Sequence, residues 1–457
     1  MPETVRFAPS PTGELHIGNI RTALYNWFIA RRSGGRFLLR YDDTDVERSE
    51  ERYVAQIAAD LAFLGIVPDQ VERQSARLAR YDAVADLLRD KGLFYPCYET
   101  PEELERKRAR QRARGLPPVY DRAALALGPA ERAALEAEGR RPHWRFRLPG
   151  GARHWEDRCR GAQTVNLAAV SDPILVREDG SYLYTLTSVV DDIDMAVTTI
   201  VRGEDHVTNS GVQIAIFEAL EAAVPAFAHH NLLTRSDGEP LSKRDNPLSI
   251  RRLAEDGYEP MAVASLAALV GTSHPAAAAP DLETLARTVA LGDISRGPAM
   301  FDPTELTRLN AALVHELDAA EAAPALPEGF DAALFWQTVR GNLTFRKDAA
   351  VWAARLVASP EALLARDDAP AIAPDDHAVL VTAAEVLADL PFDGETYRNW
   401  TKAVRERTGA KGKALFLPLR KALTGAEAGP ELAPWLMLLG KERALARLAS
   451  AAQASTS

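Results

Sequence analysis

Two rhythms of apolar and polar positions alternate through the first part of the chain, and each change of rhythm marks an element. Val5-Arg6-Phe7 reads as a short buried strand that breaks at Pro9, Pro11 and Gly13; such residues end a ladder and let backbone approach a ligand closely. Ile20, Leu24, Trp27 and Phe28 then recur at helical spacing, and Gly34-Gly35 ends that helix. Arg36 to Tyr41 predicts a second strand. Val54, Ile57, Leu61 and Leu64 predict an amphipathic helix, and Tyr81, Val84, Ala85 and Leu88 another, closed by Gly92. Strands alternating with helices imply a parallel, doubly wound sheet.

Between residues 93 and 185 this rhythm breaks. Strands are predicted around Trp144-Arg145-Phe146-Arg147 and from Ala168 to Val176, beside a helix over Glu105 to Arg114, which makes an α+β insertion. Strand-and-turn grammar resumes at Tyr182-Leu183-Tyr184-Thr185, at Val189-Val190-Asp191-Asp192, and at Val197 to Val201 leading into Arg202-Gly203-Glu204-Asp205-His206. Val212, Ile216 and Leu220 mark a further helix. Beyond residue 246 leucine and alanine recur at helical spacing, and Pro- and Ala-rich stretches at 275 to 280 and 322 to 329 read as connections. A helical bundle follows, including Ala349 to Leu356 and Ala433 to Leu448, with a disordered tail from Ala449 to Ser457. The expected fold class is α/β: a doubly wound parallel-sheet (Rossmann-like) domain from residues 1–92 and 186–245, an α+β insertion at 93–185, a helical segment at 246–325, and an all-α C-terminal domain at 326–457.

Composition changes this picture little. A length of 457 residues suits two or more domains. Lys plus Arg number 54 against 64 Asp plus Glu, so the net charge of −10 excludes a globally basic nucleic-acid binder, and any RNA contact must use local patches. The start Met1-Pro2-Glu3-Thr4 lacks a basic segment before an apolar run, and no apolar stretch is long enough to span a bilayer, so the expectation is a cytoplasmic protein without membrane contact. Cys97 and Cys159 are too few and too far apart for a disulfide framework or a four-cysteine zinc site, and read as reduced packing thiols. Asn342-Leu343-Thr344 matches a glycosylation sequon by chance.

Candidate chemistry gathers at strand ends. A helix starting at the carboxyl end of a first strand aims free N–H groups at an anion, with His16 and Gly18 at its mouth. The same strand, turn and helix is also the ordinary grammar of α/β domains, so alone it leaves both readings open. Asp42-Asp43-Thr44-Asp45 at the second strand end is either a capped turn or a site needing a cation or ammonium. Arg202, ending an apolar strand, offers a bidentate fork to a carboxylate, or pairs internally with Asp191 or Asp205. Arg106, Lys107, Arg108, Arg110, Arg112 and Arg114 form either a solvated helix face or an RNA contact.

Two segments carry a resemblance. Pro9 to Gly18 resembles the HIGH-type signature of class I aminoacyl-tRNA synthetases, here His16-Ile17-Gly18-Asn19, and Leu241-Ser242-Lys243-Arg244 resembles their KMSKS-type loop. More closely, the whole chain resembles the bacterial glutamyl-tRNA synthetases. Arg6-Phe7-Ala8-Pro9-Ser10-Pro11-Thr12-Gly13, Asp43-Thr44-Asp45, Val190-Asp191-Asp192, Arg202-Gly203-Glu204-Asp205-His206 and Lys411-Gly412-Lys413-Ala414-Leu415-Phe416-Leu417-Pro418-Leu419-Arg420 are similar to that family's opening, second strand end, amino-acid pocket and anticodon region. The resemblance implies an ATP-dependent ligase that makes glutamyl-adenylate from L-glutamate and passes it to the 3′ terminal ribose of tRNA(Glu), with tRNA(Gln) open as a second acceptor. It implies Mg2+ with ATP as substrate, and a monomer. Arg6, Ala8, Ser10, Asp42, Tyr184 and Arg202 would surround glutamate; Thr12, His16, Gly18, Asp205, Lys243 and Arg244 would surround ATP, with His16 and Lys243 catalytic. The insertion would meet the acceptor end, residues 246–325 the stem and 326–457 the anticodon.

Departures from the family pattern are Asn19 and Pro240 within the two signatures and Asp42, one methylene shorter than the usual glutamate. The insertion lacks the paired cysteines that bind zinc in some members, so no zinc is expected. Among rival readings, a truncated relative that glutamylates a modified tRNA base would lack the C-terminal bundle, and a glutaminyl-tRNA synthetase would end in β-barrels. An inert RNA-binding paralogue would lack His16 or Lys243, and both are present.

Overall fold

Val5 and Phe7 are buried on β1 (Thr4–Phe7), and the chain then runs through α1 (Ile17–Ser33), β2 (Arg36–Tyr41), α2 (Glu51–Phe63), β3 (Gln70–Arg73) and α3 (Leu78–Asp90). These elements come from a computed structural model that describes residues 1–234 and 248–455. β1, β2 and β3 pair in parallel, Phe7 opposite Leu39 and Leu39 opposite Val71. The predicted stripe of Ile20, Leu24, Trp27 and Phe28 is buried on α1. Gly34 then closes the helix in the left-handed region at φ 64°. Gly35 is needed for a different reason: a Cβ there would lie 1.9 Å from the Glu3 carbonyl oxygen.

The chain continues through β4 (Phe94–Cys97), α4 (Pro101–Ala113), α5 (Pro129–Ala137), β5 (His143–Phe146), β6 (Ala152–Asp157), β7 (Gly161–Asn166) and β8 (Ile174–Val176). α6 (Tyr184–Asp194), β9 (Thr199–Gly203), α7 (Val207–Ala219) and β10 (Ala226–His230) follow. β4, β5 and β8 form a small antiparallel sheet. β9 and β10 pair in parallel, and the Thr198 N–H donates to the Thr4 carbonyl at 2.9 Å, which sets β9 beside β1. The doubly wound parallel sheet expected from the alternation is therefore present.

Three local expectations change. Tyr184 to Asp192 is helical, and the reason is legible afterwards: Leu186, Val189, Val190 and Ile193 recur at helical rather than alternating spacing. The hairpin of β6 and β7 was not foreseen, because most of its residues are exposed or half-buried and carry no apolar run; it pairs with β10 through Asp157 and Phe227 and so extends the main sheet. The tail is helical from Lys441 to Ala454, with Ala451 and Ala452 in the core, and Gly440 at φ 76° separates it from the helix Leu432–Leu439.

By internal contacts the chain divides into two units, Met1–Leu306 and Thr307–Ser457. The second is all-helical among the described residues. Its core is centred on Trp336, Trp400 and Trp435, whose indole N–H groups donate to the carbonyls of Leu317, Ala383 and Leu423 at 2.8, 2.8 and 3.0 Å. Each large ring thus buries its surface without orphaning its polar atom. Among the described residues no helix is long and apolar enough to cross a membrane.

Candidate active site

The carboxyl ends of β1, β2, β9 and β10 meet the N-terminus of α1. His16 is the N-cap of α1, in extended backbone, and its Nδ1 accepts the Gly18 N–H at 3.1 Å. Asn19 returns the favour, its Oδ1 accepting the His16 N–H at 3.1 Å, so the pair forms a capping box. Asn19, a departure from the family signature, thus holds His16 in place. With Nδ1 an acceptor, a neutral His16 ring carries its proton on Nε2, the nitrogen that would donate to a phosphate oxygen. A Cβ on Gly18 would sit 2.9 Å from the His16 ring, so a side chain there would displace the imidazole. Thr12 is exposed at the mouth, its N–H donating to the Ser10 carbonyl at 2.8 Å in a tight turn. Ala8 is half-buried and Ser10 exposed on the same loop.

Beneath this mouth lies a buried ionic network. Arg6 pairs with Asp192 at 3.1 Å. Arg40, fully buried, reaches Asp42 at 2.7 Å, Asp192 at 2.8 Å and Asp191 at 3.7 Å. Burial alone would push the Arg40 guanidinium down, but the carboxylates of Asp42 and Asp192 outweigh it and hold it charged. Asp191 also takes Arg77 at 2.7 Å, the Tyr81 hydroxyl at 2.9 Å and the Gln74 amide at 2.8 Å. The cation expected beside Asp42 is therefore supplied by Arg40, near the end of the preceding strand. Asp43 is a cap, accepting from the Ser75 N–H and hydroxyl at 2.8 Å each.

Arg202 stands apart from this pairing. It is 8% exposed at the end of β9, opposite His229 of β10, and no carboxylate among the described residues bonds it, neither Asp191 nor Asp205. Its Nη2 donates to Ser210 Oγ at 2.5 Å and to Gln213 Oε1 at 2.7 Å, and its buried Nε has no partner. Burial first, then the like charge of Arg6, pushes this guanidinium down to about 10. Nη2, which belongs to both forks of a guanidinium, is thus already occupied, Nε is enclosed, and Nη1 is what a ligand would meet. A buried cation without an anion is costly, and a carboxylate ligand would offset that cost. Ser210 and Gln213 were missed in the sequence, since nothing marks residues eight and eleven positions downstream until α7 folds their shared face back toward β9.

Tyr184, at the first turn of α6 and close to Arg202, bonds Asn209 through its hydroxyl and lies 3.4 Å from His206 Nδ1. Asp205 is exposed, 3.7 Å from His206 Nε2. Lys243, Arg244 and Pro240 lie outside the described residues.

In the insertion, α4 presents its basic run with no residue buried. Arg108 and Arg112 turn to Glu105, and Lys107 to Glu99 and Asp121 at 3.2 Å each. Arg110 and Arg114 are exposed and pair with no acid among the described residues. Cys97, Glu99 and His143 bring one donor atom each to within 4.8 Å of one another, and Glu99 Oε2 and His143 Nε2 are buried without a hydrogen-bond partner. Burial pushes the Cys97 thiol up to about 11 and the His143 ring down to about 4.

Comparison with known proteins gives matches over nearly the whole chain. The family of class I tRNA synthetases (E and Q), catalytic domain, matches residues 4–308, and the anticodon binding domain family matches residues 311–452. The chain is 58% identical over 453 residues to glutamate–tRNA ligase 2 of Methylobacterium radiotolerans, spanning 98% of this chain and 99% of that one. It is 54% identical over 461 residues to glutamate–tRNA ligase 1 of Brucella ovis, spanning 98% and 100%. A glutamate tRNA ligase from Elizabethkingia meningosepticum, solved in complex with its amino acid, superposes with a TM-score of 0.85 at 26% identity over 99% of both chains.

Proposed function

We propose, for a chain that belongs to the glutamate–tRNA ligase family of class I aminoacyl-tRNA synthetases, that Arg202 receives the side-chain carboxylate of L-glutamate while His16 and Lys243 serve ATP. The reaction is ATP-dependent joining of glutamate to tRNA. The amino acid's α-carboxylate attacks the α-phosphate in line and releases pyrophosphate; a terminal ribose hydroxyl of tRNA then attacks the acyl carbon and releases AMP. Neither step needs a protein nucleophile, so the chain contributes positioning and charge. Arg6, Ala8, Ser10, Asp42 and Tyr184 line the glutamate end; Thr12, Gly18, Asp205 and Arg244 accompany His16 and Lys243 around ATP. The observation that carries this reading is the buried Arg202 guanidinium, left without a carboxylate amid a network in which Arg6, Arg40 and Arg77 all have one.

Magnesium would enter with ATP and would supply neutralisation of phosphate charge. The insertion meets the acceptor end of tRNA, supported by the exposed cations Arg110 and Arg114. Residues 246–325 meet the stem and 326–457 the anticodon; the ligase acts as a cytoplasmic monomer. Its acceptor is tRNA(Glu). ATP-dependent attachment of labelled glutamate, run in parallel on tRNA(Glu) and tRNA(Gln) with Lys243→Ala as control, is expected to label tRNA(Glu). Label on both acceptors would keep the reaction and broaden the specificity. No label on either would overturn the reading.

Zinc is not part of this proposal. The cluster at Cys97 offers three donors where a structural zinc takes four, and Lys107 and Arg145 supply cations: Lys107 lies 3.2 Å from Glu99, and the Arg145 guanidinium sits 4.1 Å from the centroid of the Tyr120 ring. Elemental analysis of the purified protein is expected to find zinc far below one per chain. Stoichiometric zinc, lost in both Cys97→Ala and His143→Ala, would refute this.

A further inference from the structure

Behind Arg202 a line of buried polar side chains runs across β10 to the end of β6. Ser210 Oγ lies 2.7 Å from His229 Nε2, and His229 Nδ1 lies 2.5 Å from Asp157 Oδ2. The other Asp157 oxygen accepts the N–H groups of Cys159, Arg160 and His229 at 3.0 Å each. Ser210 and His229 are fully buried and Asp157 is 2% exposed. All three are enclosed, and the side chain they hold is that of Arg202.

Burial pushes the Asp157 carboxyl up, but the His229 side chain and the backbone N–H groups outweigh it and hold it at about 2. Asp157 is thus an anion that can only accept, so His229 Nδ1 carries the ring proton. Burial first, and then the Arg202 charge, keep the imidazole from taking a second proton, although its bond to Asp157 works the other way. Nε2 is therefore bare and accepts the Ser210 hydroxyl, which has a longer alternative in the His206 carbonyl at 3.3 Å. With its hydrogen so committed, Ser210 Oγ turns a lone pair to Arg202 Nη2 at 2.5 Å. A carboxylate that only accepts stands at one end and a guanidinium that only donates at the other, so every hydrogen between them has one direction.

A nucleophilic role for Ser210 does not fit. The hydroxyl has no exposure, and an arginine occupies the side a substrate would need.

We infer that Asp157, His229 and Ser210 are positioning residues which, together with Gln213, lock Nη2 of Arg202 so that Nη1 is left for the substrate carboxylate. The inference rests on the reading of Arg202 given above. It also assigns a task to the β6–β7 hairpin, which brings Asp157 to the main sheet.

The test is kcat/KM for glutamate in tRNA charging, measured at subsaturating glutamate for Ser210→Ala, Asp157→Asn, Arg202→Met and the double variant Ser210→Ala with Arg202→Met. Ser210→Ala removes one hydrogen bond to a charged group and is expected to lower kcat/KM for glutamate by about tenfold, with KM for ATP unchanged. Asp157→Asn can donate to His229 and reverse the ring tautomer, with an effect at least as large. In the Arg202→Met background Ser210→Ala should change nothing further, because its effect passes through the guanidinium. An unchanged Ser210→Ala enzyme alongside a crippled Arg202→Met would overturn the relay and leave the Arg202 reading standing. Equal losses from Ser210→Ala in both backgrounds would reduce Ser210 to ordinary packing and also overturn it. If Arg202→Met itself keeps full kcat/KM for glutamate, the reading of Arg202 fails and the relay with it.

Discussion

Arg202→Met is expected to lower kcat/KM for glutamate by about 10²- to 10³-fold, while KM for ATP stays within about twofold, because a lost pair between buried charges costs roughly 3–5 kcal/mol and each 1.4 kcal/mol is a decade. Methionine fills much of the volume without a charge. Stability should move the other way. In the ligand-free protein the guanidinium is a buried cation with no carboxylate, and its folded pKa, about 10, lies below its ordinary value. A base whose pKa falls on folding is penalised wherever it is charged, so the penalty is present at neutral pH and fades only above about pH 10. Removing the charge lifts that penalty, and the thermal midpoint of Arg202→Met should equal or exceed that of the parent. A variant that binds glutamate normally, or one that loses activity only because it unfolds, would contradict the assignment.

His16 offers a second large effect, in which two roles can be pulled apart. As N-cap of α1 it accepts the Gly18 N–H, and as the signature histidine it is assigned to the phosphates. Asparagine is among the best N-caps but cannot reach as an imidazole does. His16→Ala and His16→Asn are both expected to slow adenylate formation on the order of 10²- to 10³-fold, as for a lost donor to a developing oxyanion. Only His16→Ala should also lose about 1 kcal/mol of stability in urea titration, the usual cost of an N-cap. If asparagine restored the rate as well as the stability, His16 would be a structural cap and the phosphate contact would have to be sought elsewhere.

Neither experiment could have been designed from one level of description alone. That Arg202 ends a strand and suits a carboxylate was visible in the apolar run Val197 to Val201 before it. That Nη2 is already held by Ser210 and Gln213, leaving Nη1, was not. Asn19 looked like a weakened signature in the sequence, and in the fold it is half of the capping box that seats His16. Asp42 reads as an acid in search of a cation, and Arg40, two residues before it near the end of β2, provides one at 2.7 Å.

What the amino-acid sequence determined by itself was local and periodic. The strand, the Pro and Gly break, the buried face of α1 and its stop at Gly34 follow from backbone restrictions and a 3.6-residue repeat, which act within a few positions of each residue. What only the tertiary structure decided was long-range pairing. Tyr184 to Asp192 is a helix rather than strands, and the weakly apolar hairpin of β6 and β7 joins the main sheet through Asp157 and Phe227. Asp157 meets His229 across 72 positions, and Arg6 meets Asp192 across 186. Such contacts leave no periodic trace, because a polar side chain shows what it can bond but not which partner burial will bring to it.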